Sequence, residues 1–445
     1  MDAERPKFLE GSKKNGVDKD KAMEVWNLLD KFANYGFNKS HAAAYAVVSY
    51  QTAWLKANHA VEFMAGVMNC DLHLTDKLAI YFEEVRKGLD LPWSPPCVNR
   101  SQATFDVADG ALVYALGALK NVGVEAMRLI TEARLTDPEA PEKGDKPFVN
   151  LFDLARRVDL KRVGKRPLEM LARAGAFDQL DQNRRRVFDS LDGLSAYSAA
   201  VHDQKNSNQV SLFGEAGDDL PEPRLSPVDD WLPAERLKEE FTAVGFYLSG
   251  HPLDDYMAPL KRKDVNTLDT IRAKAERSAL VAKIAGVVSG LQIRKSARGN
   301  RFAFCQLSDP TGAYEVTLFS DTLEACQDIL QSGAQVVVTV EATLESDQLK
   351  LLGRAVAPID SVVAEVGGLG LKIFVEEARA IASVQSVLDG ARQAAARAGK
   401  GPVQLCIQAG DLGEIEIDLG EEFPVTPQIK GAIKSLSGVL DVQDI

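Results

Sequence analysis

The sequence is poor in the side chains on which metal and redox chemistry depends. Its 445 residues contain five histidines and five cysteines, all dispersed, and no two cysteines form a CxxC pair. This distribution argues against a zinc site. It favours cysteines that pack as small apolar side chains in a reducing compartment, which we expect to be the cytoplasm. We therefore assign no metal ligand to the chain.

Long apolar runs and catalytic signatures are also missing. No apolar run approaches the ~18 residues that span a bilayer, and residues 1–10 lack the apolar core of a signal peptide. There is no P-loop, no GxSxG elbow and no Cys–His constellation. Two-metal phosphoryl transfer needs clustered carboxylates, whereas Asp18 and Asp20 lie in a predicted helix start, "NGVDKDKA", with no strand nearby. We assign no catalytic residue and no cofactor.

Charge is unevenly distributed along this acidic chain, whose formal net charge is −12. Residues 151–190 hold ten Lys and Arg against six acids, and residues 283–301 hold five basic residues and no acid. Residues 214–235 hold seven acids and one Arg, and residues 361–445 hold twelve acids and seven basic residues. The basic patches predict contact with a polyanion, and the acidic segments predict contact with protein. For any single patch, solvated surface charge is the alternative.

Helical periodicity dominates the first half of the chain. Residues 17–88 and 111–190 are predicted to be helical, with Met23, Trp26, Leu29 and Phe32 on one face of an early helix. A long alanine-rich apolar run follows, "NKSHAAAYAVVSYQTAWLKANHAVEFMAGVMNC", and predicts a largely buried segment.

A linker then separates the helices from a β region. Residues 202–230 are rich in Gly, Pro, Ser, Asn and Asp, and residues 234–275 are helical again. From residue 279 the hydrophobic period changes to two, and five short strands with a helix between the third and fourth predict an OB-type barrel. Residues 371–445 give the order βαββαβ, which predicts a small α+β domain of split βαβ type.

The stretch "GFNKSHAAAY" is predicted to begin a helix. Asn38 or Ser40 can cap that helix, and Lys39 and His41 lie beside its free first-turn amides. Together these groups suit a phosphate. An ordinary cap with a satisfied histidine is the alternative.

The stretch "LGALKNVGVEAMRLI" fits a hairpin turn between two helices, whose backbone amides could hold a DNA phosphate. The helix-hairpin-helix pattern has two glycines, of which Gly123 is present and the first is replaced by Asn121. Asparagine tolerates positive φ better than most residues, so we expect the turn to survive. "LKRVGKRPLEMLARAGAF" is a candidate second unit, and a plain helix turn is the alternative for both. The candidate DNA contacts of the two turns are Lys120, Asn121, Val122, Gly123, Lys165 and Arg166.

The stretch "LQIRKSARGNRFAFCQL" predicts a basic hairpin at the edge of the barrel. Phe302 and Phe304 could stack on bases, but their i, i+2 spacing places both on one face, and we expect that face to be the core. The candidate DNA contacts are then Arg294, Lys295, Arg298 and Arg301, acting through phosphates.

The stretch "NSNQVSLFGEAGDDLPEP" places large apolar side chains in the most polar part of the chain. Apolar loop residues without a core of their own often serve a partner. An extended peptide could insert Leu212 and Phe213 into an apolar pocket while the Gln209 amide fixes its register. The candidate partner-binding residues are Gln209, Val210, Ser211, Leu212 and Phe213.

Taken together, these stretches resemble the alpha subunit of bacterial DNA polymerase III. "KFANYGFNKSHAAAYAVVSYQTAWLKANHAVEFMAGVM" is similar to its fingers segment, and "YALGALKNVG", "AGAFDQL", "GFYLSGHPLDDY" and "GNRFAFCQLSDPTGAYEVTLFSD" follow in the family's order. The resemblance implies nucleotide-phosphate contacts in the fingers, a tandem helix-hairpin-helix, a sliding-clamp-binding motif at "QVSLF", an OB domain and a C-terminal domain that docks the clamp-loader tau subunit.

The resemblance begins inside the fingers, so the family's palm aspartates and their Mg²⁺ would lie upstream. We therefore expect Met1 to be an artificial or misassigned start, or the start of a cloned fragment or truncated copy, and we expect the chain alone to be inactive as a polymerase. The implied partners are DNA, dNTP, the sliding clamp, tau and other holoenzyme subunits, with no membrane.

The sequence and the resemblance together predict a multidomain protein with an all-α first half, a β barrel and a small α+β domain. The alternative function is a non-catalytic single-stranded-DNA-binding or scaffold protein that reuses the same modules. The predicted regions are partial fingers (1–100), tandem helix-hairpin-helix (101–200), a linker with the clamp motif (201–233), a helical connector (234–277), the OB domain (278–360) and the tau-docking domain (361–445).

Overall fold

The computed structural model describes most of the chain in ten segments. These are residues 4–32, 39–135, 146–206, 220–296, 299–345, 348–364, 370–376, 379–394, 400–408 and 414–445. The chain divides into two compact units, Met1–Met64 and Ala65–Ile445. Among the described residues, no helix has both the length and the apolar character needed to cross a membrane.

Helices make up the described part of the first unit. They are α1 (Arg5–Lys14), α2 (Lys19–Phe32), α3 (Lys39–Asn58) and the start of α4 (Ala60–Cys70). Asp18 caps α2, because its Oδ1 accepts hydrogen bonds from the amides of Asp20 at 2.9 Å and Lys21 at 3.3 Å. Trp26 is buried, whereas Leu29 and Phe32 on the same predicted face are about half exposed. The helix is confirmed, and its apolar face is only partly covered.

The prediction that the alanine-rich run is largely buried is wrong for α3. Tyr45, Val48, Tyr50 and Trp54 are 47–70% exposed. The residues are apolar enough for a core, but no described residue covers them. Burial begins further along the run, on α4, where Met68 is fully enclosed.

The second unit begins with short helices around a three-stranded sheet of order β1-β3-β2. The strands are β1 (Trp93–Ser94), β2 (Asp106–Ala108) and β3 (Ala111–Val113), and the helices are α5 (Thr75–Glu83), α6 (Val124–Arg134), α7 (Leu151–Arg157), α8 (Leu160–Val163), α9 (Lys165–Arg173) and α10 (Arg184–Asn206). The expectation of continuous helix from residue 111 is wrong at its start, because β3 and a single 3-10 turn, Leu116–Ala118, come before α6.

The predicted linker is shorter than expected. Helix α10 runs to Asn206, and residues 220–231 lie against it in extended form. The part of the linker that remains, residues 207–219, lies outside the described residues and contains "QVSLF".

The helical connector and the five-stranded barrel follow as predicted. The connector comprises α11 (Pro233–Val244), α12 (Met257–Arg262), β4 (Val265–Asn266) and α13 (Leu268–Ala275). The barrel comprises β5 (Leu280–Lys295), β6 (Arg301–Asp309), β7 (Gly312–Phe319), α14 (Ser320–Cys326), β8 (Gln335–Glu345) and β9 (Gln348–Pro358), with α15 (Ile359–Ala364) after it. The order is β5-β6-β7-β9-β8, and β5 also pairs with β8, so the barrel is closed.

Two buried polar side chains fix the connector. Glu240 on α11 is 2% exposed and accepts hydrogen bonds from the amides of Leu248 and Ser249 at 2.8 and 2.9 Å. His251 lies 3.1 Å from the Ser308 hydroxyl through Nε2. Its Nδ1 accepts from the Leu253 amide at 3.2 Å, so the proton of the neutral ring lies on Nε2 and is donated to Ser308. The His251 contact holds the connector against the barrel.

The last domain has the predicted order βαββαβ. It consists of β10 (Leu371–Val375), α16 (Arg379–Ala394), β11 (Lys400–Gln408), β12 (Glu414–Pro424), α17 (Pro427–Lys434) and β13 (Val439–Asp444). The sheet order is β12-β11-β10-β13. The prediction of a split βαβ unit is wrong, because the crossover helix returns β11 directly beside β10 in parallel, and no strand lies between them.

Candidate nucleic-acid interface

The first hairpin turn adopts the backbone conformation that the sequence predicts. Asn121 has φ of +60°, in the left-handed region, where the pattern normally has glycine. Gly123 has φ of −89° and is the N-cap of α6. The expected helix before the turn is only the 3-10 turn noted above. The asparagine therefore preserves the turn.

The turn offers only part of its predicted phosphate contacts. The Lys120 amide donates to the Ala243 carbonyl at 2.7 Å, and its Nζ lies 5.5 Å from the centre of the Phe241 ring. The Val122 amide donates to Leu119 at 3.2 Å. The amide of Gly123 makes no hydrogen bond to any described residue, and it is exposed at the start of α6. Gly123 is thus the best placed of the predicted contacts in this turn, while Lys120 is engaged within the protein.

The second candidate turn joins α8 to α9 through Gly164, whose φ is +93°. Lys165 opens α9 and pairs with Asp192 on α10 at 2.8 Å, and this carboxylate raises the pKa of Lys165. Arg166 is exposed and forms no ion pair with any residue that the structure describes. Helix α6 packs beside α8, so the two turns belong to neighbouring elements.

Most of the basic residues in the 151–190 segment are consumed by internal ion pairs. Arg184 is buried and pairs with Asp178 at 2.8 Å and with Glu240 at 3.6 Å. Similar pairs are Arg156–Glu222, Arg157–Asp153, Arg173–Glu239, Arg185–Asp189 and Arg186–Asp181. The charge excess therefore stabilises the domain in large part. The exposed basic residues that remain cluster around Gly164: Lys161, Arg162, Lys165 and Arg166.

The expectation that Phe302 and Phe304 face the barrel core is wrong. Ala303, Cys305 and Leu307 occupy the core, so the two phenylalanines lie on the opposite, outer face of β6. Their rings meet edge to face with centroids 5.4 Å apart. Both side chains are partly exposed.

Neighbouring strands extend this surface into two rows, which we call the aromatic ledge. In one row Phe302 lies between Arg294 and Phe319, and in the other Phe304 lies between Gln292 and Thr317. The Arg294 guanidinium lies 5.5 Å from the centre of the Phe304 ring, and Phe319 is 56% exposed. The ledge therefore combines flat apolar rings with a positive charge on one side of the barrel.

The other predicted barrel contacts lie at the end of the same hairpin. Lys295 and Arg301 are cross-strand neighbours and both are exposed, and Arg301 donates to Gln327 at 3.3 Å. Arg298 lies outside the described residues.

Sequence reasoning missed the ledge, although a signal for it was present. In "RFAFCQLSD" the polar Gln306 shares the phase of Phe302 and Phe304, while the small or aliphatic Ala303, Cys305 and Leu307 share the other. A polar residue on a strand marks the solvent face. Phe319 was missed because its position opposite Phe302 depends on the pairing of β6 with β7.

The predicted phosphate site at the start of α3 is only partly described. The helix begins at Lys39, so Ser40 lies inside it and is not the cap. Asn38 and the side chains of Lys39 and Ser40 lie outside the described residues. The His41 ring lies 4.6 Å from the ring of Tyr45, centre to centre.

No group of three or more histidine, cysteine, aspartate or glutamate side chains suited to a metal ion occurs among the described residues. All five cysteines are free, and four of them are buried as predicted, whereas Cys70 is exposed. The predicted partner-binding residues 209–213 lie outside the described residues.

Comparisons with known proteins agree with these modules. The family described as a helix-hairpin-helix motif matches residues 91–187, and the family described as an OB-fold nucleic acid binding domain matches residues 282–353. DNA polymerase III subunit alpha of Caulobacter vibrioides is 39% identical over 445 residues, which are 100% of this chain and 38% of that protein. Over its whole length, the chain matches the C-terminal part of DNA polymerase III subunit alpha.

Other alpha subunits give the same picture. The protein of Vibrio cholerae is 35% identical over 96% of this chain and 36% of its own length, and that of Escherichia coli K12 is 34% identical over 100% and 38%. The chain thus spans well under half the length of these relatives. Among solved structures, the yeast mitochondrial single-stranded DNA binding protein Rim1 is 22% identical and covers 18% of this chain and 96% of its own, with a TM-score of 0.17. That score is too low to support a fold assignment.

Proposed function

We propose that this chain is the DNA- and partner-binding portion of a replicative DNA polymerase alpha subunit. The observation that carries the proposal is the aromatic ledge, with Phe302, Phe304 and Phe319 outward beside Arg294 on a barrel of the nucleic-acid-binding OB class. In the full-length protein this portion would hold DNA and connect the polymerase to the replication machinery.

The ledge suits single-stranded DNA better than a duplex. Bases of a single strand are free to stack on aromatic rings, whereas the bases of a duplex stack on each other. Each base stacked on an aromatic side chain contributes ~1–3 kcal/mol. Arg294 beside Phe304 can meet the backbone that accompanies the stacked bases.

The test is the affinity of the full chain for a fluorescent oligothymidine, measured by anisotropy. Phe304→Ala should weaken binding at least about fivefold, because one stacked base is lost. Val281→Ala is the matched control, since Val281 is 65% exposed on β5 of the same barrel and pairs on its β8 side. Equal affinity of the two variants would contradict the assignment of the ledge.

The hairpin turns would hold the phosphates of duplex DNA. The proposed contacts are Lys120, Asn121, Val122, Gly123, Lys165 and Arg166, of which Gly123 and Arg166 are the most accessible. A Cβ added at Gly123 meets no atom within 4 Å and φ is permitted, so Gly123→Ala should fold normally. Duplex affinity should nevertheless fall, because the methyl group would intrude where a phosphate approaches the backbone. Gly390→Ala, equally open and on α16, should leave duplex affinity unchanged.

Residues 209–213 would tether the chain to the sliding clamp. Burying Leu212 and Phe213 in a clamp pocket should contribute ~3–5 kcal/mol before the cost of ordering the segment, so a single site should bind in the micromolar range or weaker. Leu212→Ala with Phe213→Ala should reduce clamp affinity at least about tenfold in surface plasmon resonance. An unchanged circular dichroism spectrum is the control, and retained affinity with intact folding would place the clamp contact elsewhere.

The acidic domain at residues 371–445 would bind the clamp-loader tau subunit. Its five net negative charges, twelve acids against seven basic residues over residues 361–445, disfavour DNA. A chain that ends at residue 364 should no longer retain tau in a pull-down while it still binds oligothymidine. Retention of tau by the shortened chain would refute the assignment.

Residues 1–100 would belong to the nucleotide-binding fingers, with Asn38, Lys39, Ser40 and His41 near the incoming dNTP phosphates. The exposed apolar face of α3 fits this proposal, since a larger alpha subunit would supply the surface that covers it. Asp18 serves as a helix cap, and the described residues do not fit a Mg²⁺ pair. Lys39→Ala in a full-length alpha subunit should raise the apparent KM for nucleotide, and unchanged kinetics for both Lys39→Ala and His41→Ala would show a plain helix start.

A further inference from the structure

Residues 222–231 form an extended strap along α10. The strap runs antiparallel to the helix, because its later residues meet earlier residues of α10. Its contacts with the helix are the Ser226 amide to Ser190 Oγ at 2.9 Å, Asn183 Nδ2 to the Val228 carbonyl at 2.7 Å, the Arg185 amide to Asp230 Oδ1 at 3.1 Å, and the Trp231 ring 5.6 Å from that of Phe188.

The upstream end of the strap is fixed well before the end of α10. Glu222 pairs with Arg156 Nη1 at 3.0 Å, and the same Nη1 donates to the Tyr197 hydroxyl at 3.4 Å. Tyr197 precedes the last residue of the helix, Asn206, by nine positions, or ~14 Å of helix. Both ends of the intervening chain are therefore attached to one helix.

The strap also passes beside the second hairpin turn. A Cβ built on Gly193 would lie 3.8 Å from the Pro223 side chain. The preceding residue, Asp192, holds Lys165 at the start of α9. The start of the strap is thus within one residue of the ion pair that carries the cation of this turn.

We propose that the strap is a positioning element that fixes the downstream end of the partner-binding segment beside the second hairpin turn. This rests on the proposed clamp-binding role of residues 209–213. With the strap seated, fifteen residues, 207–221, separate the two attachment points. With it released, the free chain would extend over residues 207–231, or twenty-five residues. Effective concentration falls as about the −3/2 power of tether length, so release should weaken joint binding of clamp and DNA about twofold.

The test compares two substitutions in the full chain. Gly193→Leu with Ser190→Ala places a bulky side chain under Pro223 and removes the acceptor of the Ser226 amide. Gly193→Ala is the matched control, because its methyl group makes only an ordinary contact with Pro223 and both changes at Gly193 favour the helix. Two affinities are measured for each variant: for free sliding clamp, and for clamp loaded on primed circular DNA.

The strap variant should bind free clamp as the control does, and its affinity for loaded clamp should fall about twofold or more. In the unsubstituted chain, hydrogen exchange should show a protected Ser226 amide. An unprotected Ser226 amide, or equal ratios of the two affinities in both variants, would overturn the proposal. Failure of the clamp assignment itself has a different signature, since Leu212→Ala with Phe213→Ala would then leave free-clamp affinity intact.

Discussion

At the residue scale, Tyr114 carries a polar atom that the fold encloses without satisfying it. The side chain is 1% exposed within a cluster of aromatic rings, and its hydroxyl has no hydrogen-bond partner among the described residues. Burial, with a smaller contribution from Glu240, raises the pKa of Tyr114 well above its usual range, so the hydroxyl is neutral.

Tyr114→Phe should therefore stabilise the protein by up to about 1 kcal/mol, because removing an unpaired buried hydroxyl removes its desolvation penalty. The measurement is the free energy of unfolding in urea. Tyr256→Phe is the matched control: Tyr256 is equally buried, but its hydroxyl donates to Asp360 at 3.0 Å, so this change should destabilise by about 1 kcal/mol. Equal effects of the two changes would contradict this account.

His251 makes the joint between connector and barrel sensitive to acid. Burial, reinforced by Lys87, lowers the pKa of His251 to about 3 from an ordinary value of 6.5. Between these values the unfolded chain binds a proton that the folded chain does not. Stability from this group is therefore complete above pH ~6.5 and is lost as the pH falls towards 3.

The slope from this one histidine should be at most about 1.4 kcal/mol per pH unit. Urea titrations between pH 7 and 4.5 should show a shallower loss of stability in His251→Gln than in the unsubstituted chain. Identical pH profiles would show that His251 is not the sensitive group. His59, an exposed histidine, provides the control through His59→Gln.

The basic residues at the end of the β5–β6 hairpin should act through phosphates and not through bases. Replacing Arg294, Lys295 and Arg301 singly by alanine should each reduce the salt slope of oligothymidine binding by ~0.7. Phe304→Ala should lower affinity at every salt concentration and leave the slope unchanged. The same slope in the triple variant and the unsubstituted chain would move the DNA path away from this edge.

At the element scale, the first hairpin turn depends on one left-handed residue. Asn121→Gly should be neutral, because glycine adopts φ of +60° without strain. Asn121→Val should destabilise by about 1–2 kcal/mol, since a β-branched residue is disfavoured there. Thermal unfolding of both variants provides the measurement. A neutral Asn121→Val would mean that the turn adopts another conformation in solution.

The elements that sequence predicted well are those set by local chemistry. Period-two alternation with turn residues gave the five barrel strands, and the order βαββαβ followed from the same signals. The tolerance of asparagine for positive φ predicted the turn at Asn121 without any tertiary information.

The elements that it predicted poorly depend on distant chain segments. The neighbours of β10 are decided by where α16 returns the chain, which no local pattern encodes. The exposure of α3 depends on which surface covers it, and the docking of residues 222–231 depends on hydrogen bonds to α10. At the candidate site, charge pointed to the correct hairpin of the barrel but the phase of Phe302 and Phe304 was misjudged.

At the scale of the whole molecule, the sequence charges take on different roles once the chain is folded. The basic excess at residues 151–190 is spent mainly on ion pairs within the domain, so counting charges overstated its DNA-binding surface. The smaller basic segment at residues 283–301 leaves Arg294 and Lys295 exposed beside aromatic rings. The barrel is therefore where we expect most of the single-strand affinity.

Photocross-linking tests the central claim, single-strand binding on the aromatic ledge, most directly. The full chain is irradiated with an oligonucleotide that carries 5-iodouracil at each position, and the attached peptides are identified by mass spectrometry. The account predicts cross-links to Phe302, Phe304 or Phe319, lost when excess unlabelled single strand is added. Specific cross-links confined to residues outside β5, β6 and β7 would contradict it.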